Sequence, residues 1–144
     1  MYHCCLRFYL TGRQCKAFEV FPKMSPLEHF THTFYQSEAA EEKSASEADV
    51  IFASLEGMDA ENIRRTITVC GGREASLIVL AGADQFPILS EDLEKITDVW
   101  MLPMTEEEAV FRFLRWQQTC KLEKDFWEKS QYLEAAINSV PNLV

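Results

Sequence analysis

The stretch Asp49-Val50-Ile51-Phe52-Ala53-Ser54-Leu55 is an almost unbroken apolar run, and Gly57 ends it. Runs of this kind are typical of a strand that is buried on both faces of a parallel sheet. Residues 75–81 repeat the pattern and stop at Gly82, and residues 98–102 form a third apolar segment. The centre of the chain is therefore predicted to be a parallel sheet.

Helical patterns stand between these runs and after them. Residues 59–69 carry isoleucines four apart, which is the spacing of one helix face, and residues 90–96 have a serine at the capping position. The last helix is predicted to begin near Thr105 with a capping box and to reach about Ser139, because Pro141 cannot continue it. The alternation predicts an α/β, three-layer fold with five strands, flanking helices and a long C-terminal helix.

The N-terminal segment is harder to interpret. Residues 4–10 and 17–21 are short apolar runs that we predict to be strands. Ser25-Pro26 is a helix-start signal, and the helix predicted to follow places Leu27, Phe30 and Phe34 on one face. About six residues between the two strands are too few for a helical crossover. Either the first helix is nearly lost, or the two strands form a hairpin.

Composition limits the classes of partner. The chain has 144 residues, 47% of them hydrophobic, and a net charge of −9. Nucleic acids and anionic membranes select basic surfaces, so we expect neither as a partner. No apolar run approaches the roughly 20 residues that a membrane-spanning helix needs. Five cysteines, without a C-x-x-C pair, argue against a disulfide framework and a zinc site, and favour a cytoplasmic location.

The order of these segments resembles a response-regulator receiver domain, which has a flavodoxin-like fold. Residues 48–55 are similar to the third strand of that family, and Gly57-Met58-Asp59-Ala60 resembles its "GMDG" turn. Residues 77–82 are similar to the fourth strand. Residues 99–108 are similar to the fifth strand, the Lys-Pro dipeptide and the start of the last helix. The resemblance covers about residues 4–118.

The resemblance implies aspartyl phosphorylation, but this chain departs from the residues that the chemistry needs. The aspartate position falls on Ser54, the hydroxyl position on Ala81 and the lysine position on Leu102. Thr11-Gly12 stands where the family has two carboxylates that hold magnesium. A serine hydroxyl carries no charge for a metal, and a leucine cannot pair with a phosphoryl group. We therefore expect a degenerate receiver, or pseudo-receiver, with no catalytic residue, metal or cofactor.

The C-terminal tail carries a second resemblance. Residues 135–144, Ala-Ala-Ile-Asn-Ser-Val-Pro-Asn-Leu-Val, are similar to the segment that leads into a PAS domain. This resemblance divides the chain into a receiver-like domain (1–118), a signalling linker helix (119–140) and the start of a truncated PAS domain (141–144). Bacterial proteins with a receiver and a PAS domain often continue into a GGDEF diguanylate cyclase, which makes cyclic di-GMP, an EAL phosphodiesterase or a histidine kinase. We expect the parent protein to be a diguanylate cyclase, with a histidine kinase as the alternative output.

The last helix carries an apolar stripe that favours self-association. Phe113, Trp116, Cys120 and Trp127 are spaced three, four and seven apart, which approximates a coiled-coil seam. We expect a homodimer through this helix, with the PAS and output domains on the same chain. For Phe113, docking onto the sheet is the simpler alternative.

Other interpretations remain open. A flavodoxin-like cofactor-binding domain would need a Ser-, Thr- and Gly-rich loop after the first strand, where this chain has Thr11-Gly12-Arg13-Gln14. A receiver-like domain could also dock onto another protein as a monomer.

His29 and His32 have helical spacing but lack a third metal ligand, so we predict a surface pair. Asp84 follows the fourth strand, where α/β proteins bind ligands, although a solvated carboxylate is the default expectation.

Overall fold

The computed structural model describes residues 4–139, and the side chains of residues 4–123. The chain divides into two compact units, Met1–Val110 and Phe111–Val144, and each is described by itself. The truncated PAS start predicted at residues 141–144 lies outside the described residues. So do Val140, the last residue of the predicted linker helix, and the side chain of Trp127.

The first unit contains a five-stranded sheet in which every neighbouring pair is parallel. The strands are β1 (Cys4–Gly12), β2 (Phe30–Ser37), β3 (Val50–Ser54), β4 (Ser76–Ala81) and β5 (Asp98–Met101). Their order across the sheet is β2-β1-β3-β4-β5. This is the flavodoxin-like order, so the α/β prediction is confirmed.

Five α-helices occur in the described chain. They are α1 (Lys16–Val20), α2 (Glu42–Glu47), α3 (Ala60–Cys70), α4 (Phe86–Leu89) and α5 (Glu106–Ser139), with 3-10 turns at Phe21–Lys23, Ala83–Gln85 and Ser90–Lys95. The helix predicted over residues 59–69 is confirmed as α3, whose cap Asp59 accepts a hydrogen bond from the Asn62 N–H. The capping residue predicted for the last helix is confirmed as well, because Thr105 Oγ1 accepts the Glu108 N–H at 3.1 Å.

Two N-terminal predictions are wrong. Residues 17–21 are not a strand: they form α1 and the start of a 3-10 turn, with Phe18 and Phe21 buried. The helix predicted after Ser25 is instead the strand β2. A spacing of four, as in Phe30 and Phe34, fits one face of a helix and equally one face of a strand, so the pattern alone could not decide.

The connection between β1 and β2 contains a first helix of only five residues. The two strands are parallel over eight residue pairs, from Cys4 opposite Phe30 to Thr11 opposite Ser37. A hairpin is therefore excluded, and the alternative of a nearly lost first helix is correct. α1 ends at Val20, and Pro22 is the second residue of the 3-10 turn that follows it. Its ring prevents α1 from continuing as a regular helix.

The two faces of the sheet have different cores. One face buries Tyr9, Ile51 and Val79 together with Ile63 and Ile67 of α3. The other face is aromatic, and its centre is the fully buried Phe52. The Phe52 ring lies 4.7 Å from Phe21, 5.4 Å from Trp100 and 6.2 Å from Phe8, between ring centroids. The central strands are therefore held in place by cores on both faces of the sheet. The candidate site lies at their carboxyl ends.

Candidate functional site

The carboxyl ends of the parallel strands meet at one edge of the sheet, here called the carboxyl edge. Gly12, Ser54 and Ala81 are the last residues of β1, β3 and β4, and Leu102 follows β5. The structure therefore brings to one edge the four positions that the receiver resemblance singled out. Open parallel sheets bind their ligands at this edge.

Ser54 occupies the position predicted for the phosphoacceptor, and its side chain is fully buried. The hydroxyl makes no hydrogen bond of ordinary geometry within the described part of the chain. It lies beside the Cys15 thiol, closely enough to stabilise the thiolate. A buried hydroxyl without a hydrogen bond costs free energy, of the order of 1–3 kcal/mol. The Ser54 side chain is therefore buried, uncharged and without a hydrogen-bond partner among the described residues. Phosphoryl transfer to a receiver requires a solvated carboxylate instead.

Gly12 lets the end of β1 pack closely against the end of β3. Its φ is +100°, a conformation that residues with a β-carbon rarely adopt. A β-carbon at this position would lie 2.1 Å from the Ser54 carbonyl oxygen. The backbone of β1 therefore packs directly against the backbone of β3 at the carboxyl edge. The preceding Thr11 is buried and has no hydrogen bond for its Oγ1 among the described residues.

Ala81 and Leu102 complete the set of departures from receiver chemistry. Ala81 is fully buried and presents only a methyl group. The Leu102 N–H donates to the Ala81 carbonyl oxygen at 2.8 Å, which continues the β4–β5 pairing past the end of β5. Leu102 lines the cleft at this edge with an apolar side chain. Neither residue can hydrogen-bond through its side chain to an anionic oxygen.

A cleft of about 830 Å³ opens at the carboxyl edge. Its lining is mixed, with apolar side chains such as Met58 and Met104 beside the exposed charges of Lys16, Glu56 and Asp84. Asp84 therefore lies at the edge where the sequence placed it. Within the described residues, no three His, Cys, Asp or Glu side chains come together as a metal site would require.

Gln85 is a site residue that the sequence analysis missed. Its amide Nε2 donates to the Leu55 carbonyl oxygen at 2.7 Å and to the Met58 carbonyl oxygen at 3.3 Å. Its Oε1 accepts the Gly82 N–H at 3.0 Å. One buried side chain therefore ties the loop after β4 to the loop after β3. A single glutamine in a loop has no periodic pattern, so no sequence signal marked it.

Cys15 lies next to Ser54 and lines the same cleft. Burial raises the pKa of the Cys15 thiol. The Phe18 backbone, the nearby Ser54 hydroxyl and the Ala17 backbone lower this pKa, and the charge of Glu56 raises it further. The net shift is upward, so the thiol stays protonated at neutral pH. A protonated thiol is a poor nucleophile, so Cys15 does not replace the missing phosphoacceptor.

The histidine pair does not have the helical geometry that its spacing suggested. His29 precedes β2 with a φ of +70°, and His32 lies within β2. Burial lowers the pKa of His32. His29 Nε2 lies 3.6 Å from Glu28 Oε1. The two histidines are therefore not side by side on one face of a helix.

The predicted linker residues have different surroundings along α5. Phe113 is fully buried, Trp116 and Cys120 are half-buried, and the Phe113 and Trp116 ring centroids are 5.6 Å apart. In the described part of the chain, no helix combines the length and the apolar character that crossing a bilayer would need.

Comparison with known proteins does not identify a family for this chain. No protein-family model and no curated protein matches this chain. Among solved structures, the chain is similar to a fusion protein that carries the trimeric coiled coil of yeast Spc42, with a TM-score of 0.42 and 16% identity. That alignment covers 98% of this chain and 100% of the other. A TM-score this low carries no argument about fold or function.

Proposed function

We propose that this chain is a non-catalytic regulatory module of a cytoplasmic bacterial signalling protein. A degenerate receiver-like unit self-associates and relays a signal along α5 to a PAS domain and a GGDEF diguanylate cyclase. In this proposal the receiver-like unit is not phosphorylated by the usual aspartyl route. The signal is then the binding of a partner or ligand rather than a covalent modification.

The chemistry of the carboxyl edge is the observation that carries this proposal. Phosphoryl transfer to a receiver needs a carboxylate nucleophile, carboxylates that hold magnesium, and a cation that pairs with the phosphoryl oxygens. At the corresponding positions stand the buried hydroxyl of Ser54, the packed backbone of Gly12, and the apolar side chains of Ala81 and Leu102. Each position lacks the charge that its step requires, so the edge supports a structural role.

The length of α5 supports the relay. The helix runs for 34 residues, from Glu106 to Ser139. At about 1.5 Å per residue it spans about 51 Å, whereas the nine residues of β1 span only about 30 Å. A helix much longer than the strands of its domain is suited to connecting that domain to another one. A dimer of such helices can pass on a change in orientation or register.

The cleft favours a second candidate, a flavodoxin-like domain that binds a small cofactor. Its volume of about 830 Å³ is in the range of small-molecule sites. Its weakness is the segment Arg13-Gln14, which replaces the hydroxyl-rich loop expected after β1. Visible absorbance of a flavin in the purified chain would favour this candidate over the regulatory module.

The most economical test of the relay is the coding sequence after Val144. We expect a PAS domain that opens with a strand carrying an aromatic residue and an aspartate. Further on we expect a Gly-Gly-[Asp/Glu]-Glu-Phe motif. A histidine-kinase phosphoacceptor helix would keep the relay and change its output. A stop codon directly after Val144 would contradict the relay, and only the degenerate receiver-like domain would remain.

A further inference from the structure

Strand β2 is an edge of the five-stranded sheet, and no strand of the described chain lies on its outer side. It is long for an edge strand, with eight residues. Its sequence, Phe-Thr-His-Thr-Phe-Tyr-Gln-Ser, is rich in β-branched and aromatic residues and contains no Asp, Glu, Lys, Arg or Pro. Charges and prolines are the usual means by which proteins keep an exposed edge strand from pairing, and β2 has neither.

The opposite edge of the sheet is protected. Strand β5 has only four residues, and it begins with Asp98. Pro103 stands two residues beyond its last residue, Met101. A short length, a charge and a nearby proline all hinder pairing with another chain. An additional strand is therefore expected at β2 and not at β5.

The outer side of β2 presents backbone groups of alternate residues. The Cys4 N–H donates to the His29 carbonyl oxygen at 2.8 Å, which sets the phase of the β1–β2 ladder. In a parallel ladder, every second residue directs its N–H and C=O groups toward the neighbouring strand, and in β2 these are the odd-numbered residues. The backbone groups of Phe34 and Gln36 therefore point away from β1, where another strand can pair with them.

Stacked rings reach this edge on both faces of the sheet. On one face, Phe52, Phe8 and Phe34 form a row across three neighbouring strands, with centroids 6.2 Å and 4.6 Å apart and planes inclined by 14° and 11°. On the other face, Tyr9 stacks on Tyr35 at 5.3 Å. Cross-strand aromatic pairs stabilise neighbouring strands. A further strand with aromatic residues on both faces would extend both rows, and β2 of a second copy is such a strand.

The acids that flank β2 select the register of this pairing. Two antiparallel registers around a two-fold axis overlap seven of the eight residues of β2, one centred on Thr33 and one centred on Phe34. The first would bring the exposed Glu28 opposite the exposed Glu38 at both ends. Like charges directly opposite each other are destabilising. The second register places no acid opposite another acid, and it places Phe34 opposite itself.

We infer that β2 of one copy pairs in antiparallel fashion with β2 of a second copy, with Phe34 at the two-fold axis. The backbone donors and acceptors of an edge strand are self-complementary around such an axis, so the assembly closes as a dimer. Each copy carries a net charge of −9, so two copies approach each other best at an uncharged surface such as this edge. The inference rests on the proposed self-association, and it adds a contact of the first unit to the one assigned to α5.

The test uses the position of Phe34 opposite itself. Phe34→Lys and Phe34→Glu each remove the ring pair and oppose two like charges, so we expect the dimer dissociation constant of the full chain to rise at least about tenfold. In a one-to-one mixture, the mixed dimer pairs lysine with glutamate. This mixture should recover most of the lost association in sedimentation equilibrium. Phe86→Lys is the matched control, because Phe86 is a partly exposed aromatic residue on α4, and its association should stay unchanged.

Hydrogen exchange of the wild-type chain tests the same contact without a substitution. The outward N–H groups of Phe34 and Gln36 gain partners on dimerisation, so exchange in the peptide of residues 30–37 should slow as the protein concentration rises. This measurement is decisive if circular dichroism shows that the two Phe34 variants do not fold. Exchange that stays independent of concentration while the wild-type chain associates would overturn the inference.

The outcomes separate this inference from the proposed function. If the wild-type chain associates and neither Phe34 variant weakens it, the inference fails while the proposed self-association through α5 stands. If both variants weaken the association and their mixture does not recover it, Phe34 does not lie opposite itself and the inference is overturned. If the wild-type chain is a monomer at every concentration, both the inference and the proposed self-association fail.

Discussion

Replacing Gly12 with alanine should cost about 4 kcal/mol or more of the free energy of unfolding. The new β-carbon would stand 2.1 Å from the Ser54 carbonyl oxygen and 3.0 Å from its carbonyl carbon, both of which are backbone atoms. The strand ends would have to separate, because neither contact can be relieved by rotating a side chain. The φ of +100° at Gly12 adds strain of its own. Urea unfolding, followed by tryptophan fluorescence, measures the loss.

Gly72 provides the control for this experiment. Its φ is +70°, but an added β-carbon would have no neighbour within 4 Å. Gly72→Ala therefore measures the backbone strain without the clash, and it should cost only about 1–2 kcal/mol. Equal losses for the two variants would mean that β1 and β3 are not in close contact at Gly12 and Ser54. The described close packing of the β1 and β3 backbones at the carboxyl edge would then be wrong.

Replacing Gln85 with alanine should cost about 3 kcal/mol. The variant leaves the Leu55 carbonyl oxygen and the Gly82 N–H without the hydrogen bonds that the glutamine supplies. Both groups lie at the carboxyl edge, so the loss should also increase hydrogen exchange in the loops after β3 and β4. Gln36→Ala removes an exposed glutamine whose side chain contacts Gln14. This control should change the stability by less than about 0.5 kcal/mol.

A glutamate at position 85 distinguishes hydrogen bonding from packing. In Gln85→Glu the carboxylate would face the carbonyl oxygens of Leu55 and Met58, which accept hydrogen bonds from the native amide. The folded state therefore favours the protonated acid, which can still donate, and the pKa of the new carboxyl group is raised. Its contribution to stability is present at acid pH and is lost as the pH rises through that pKa. A pH-independent stability difference from wild type would contradict these hydrogen bonds.

The central part of the fold was predictable because its signals are not ambiguous. Residues 49–55 and 75–81 are too apolar for an exposed element and too short for a buried helix, and they are β3 and β4. The α3 helix has both periodicity and a capping aspartate. The N-terminal segment failed for the opposite reason. A spacing of four is shared by helices and strands, and a short apolar run such as residues 17–21 fits either a strand or a helix.

The candidate site was predictable only in part. The position of Ser54 at a strand end follows from the pattern, whereas no pattern in the sequence indicates that Cys15, the residue before α1, lies beside it. Gln85 could not be found, since its role depends on two loops that meet only after folding.

The central claim is that the carboxyl edge no longer performs aspartyl phosphorylation. Its most direct test is intact-mass analysis of the wild-type chain and of Ser54→Asp after incubation with acetyl phosphate and magnesium. With a carboxylate at position 54 alone, the lysine and hydroxyl positions would still be Leu102 and Ala81, and no carboxylate ends β1. We predict that neither protein gains the mass of a phosphoryl group. Stoichiometric phosphorylation of either one that hydroxylamine removes, as it removes an aspartyl phosphate, would contradict the account.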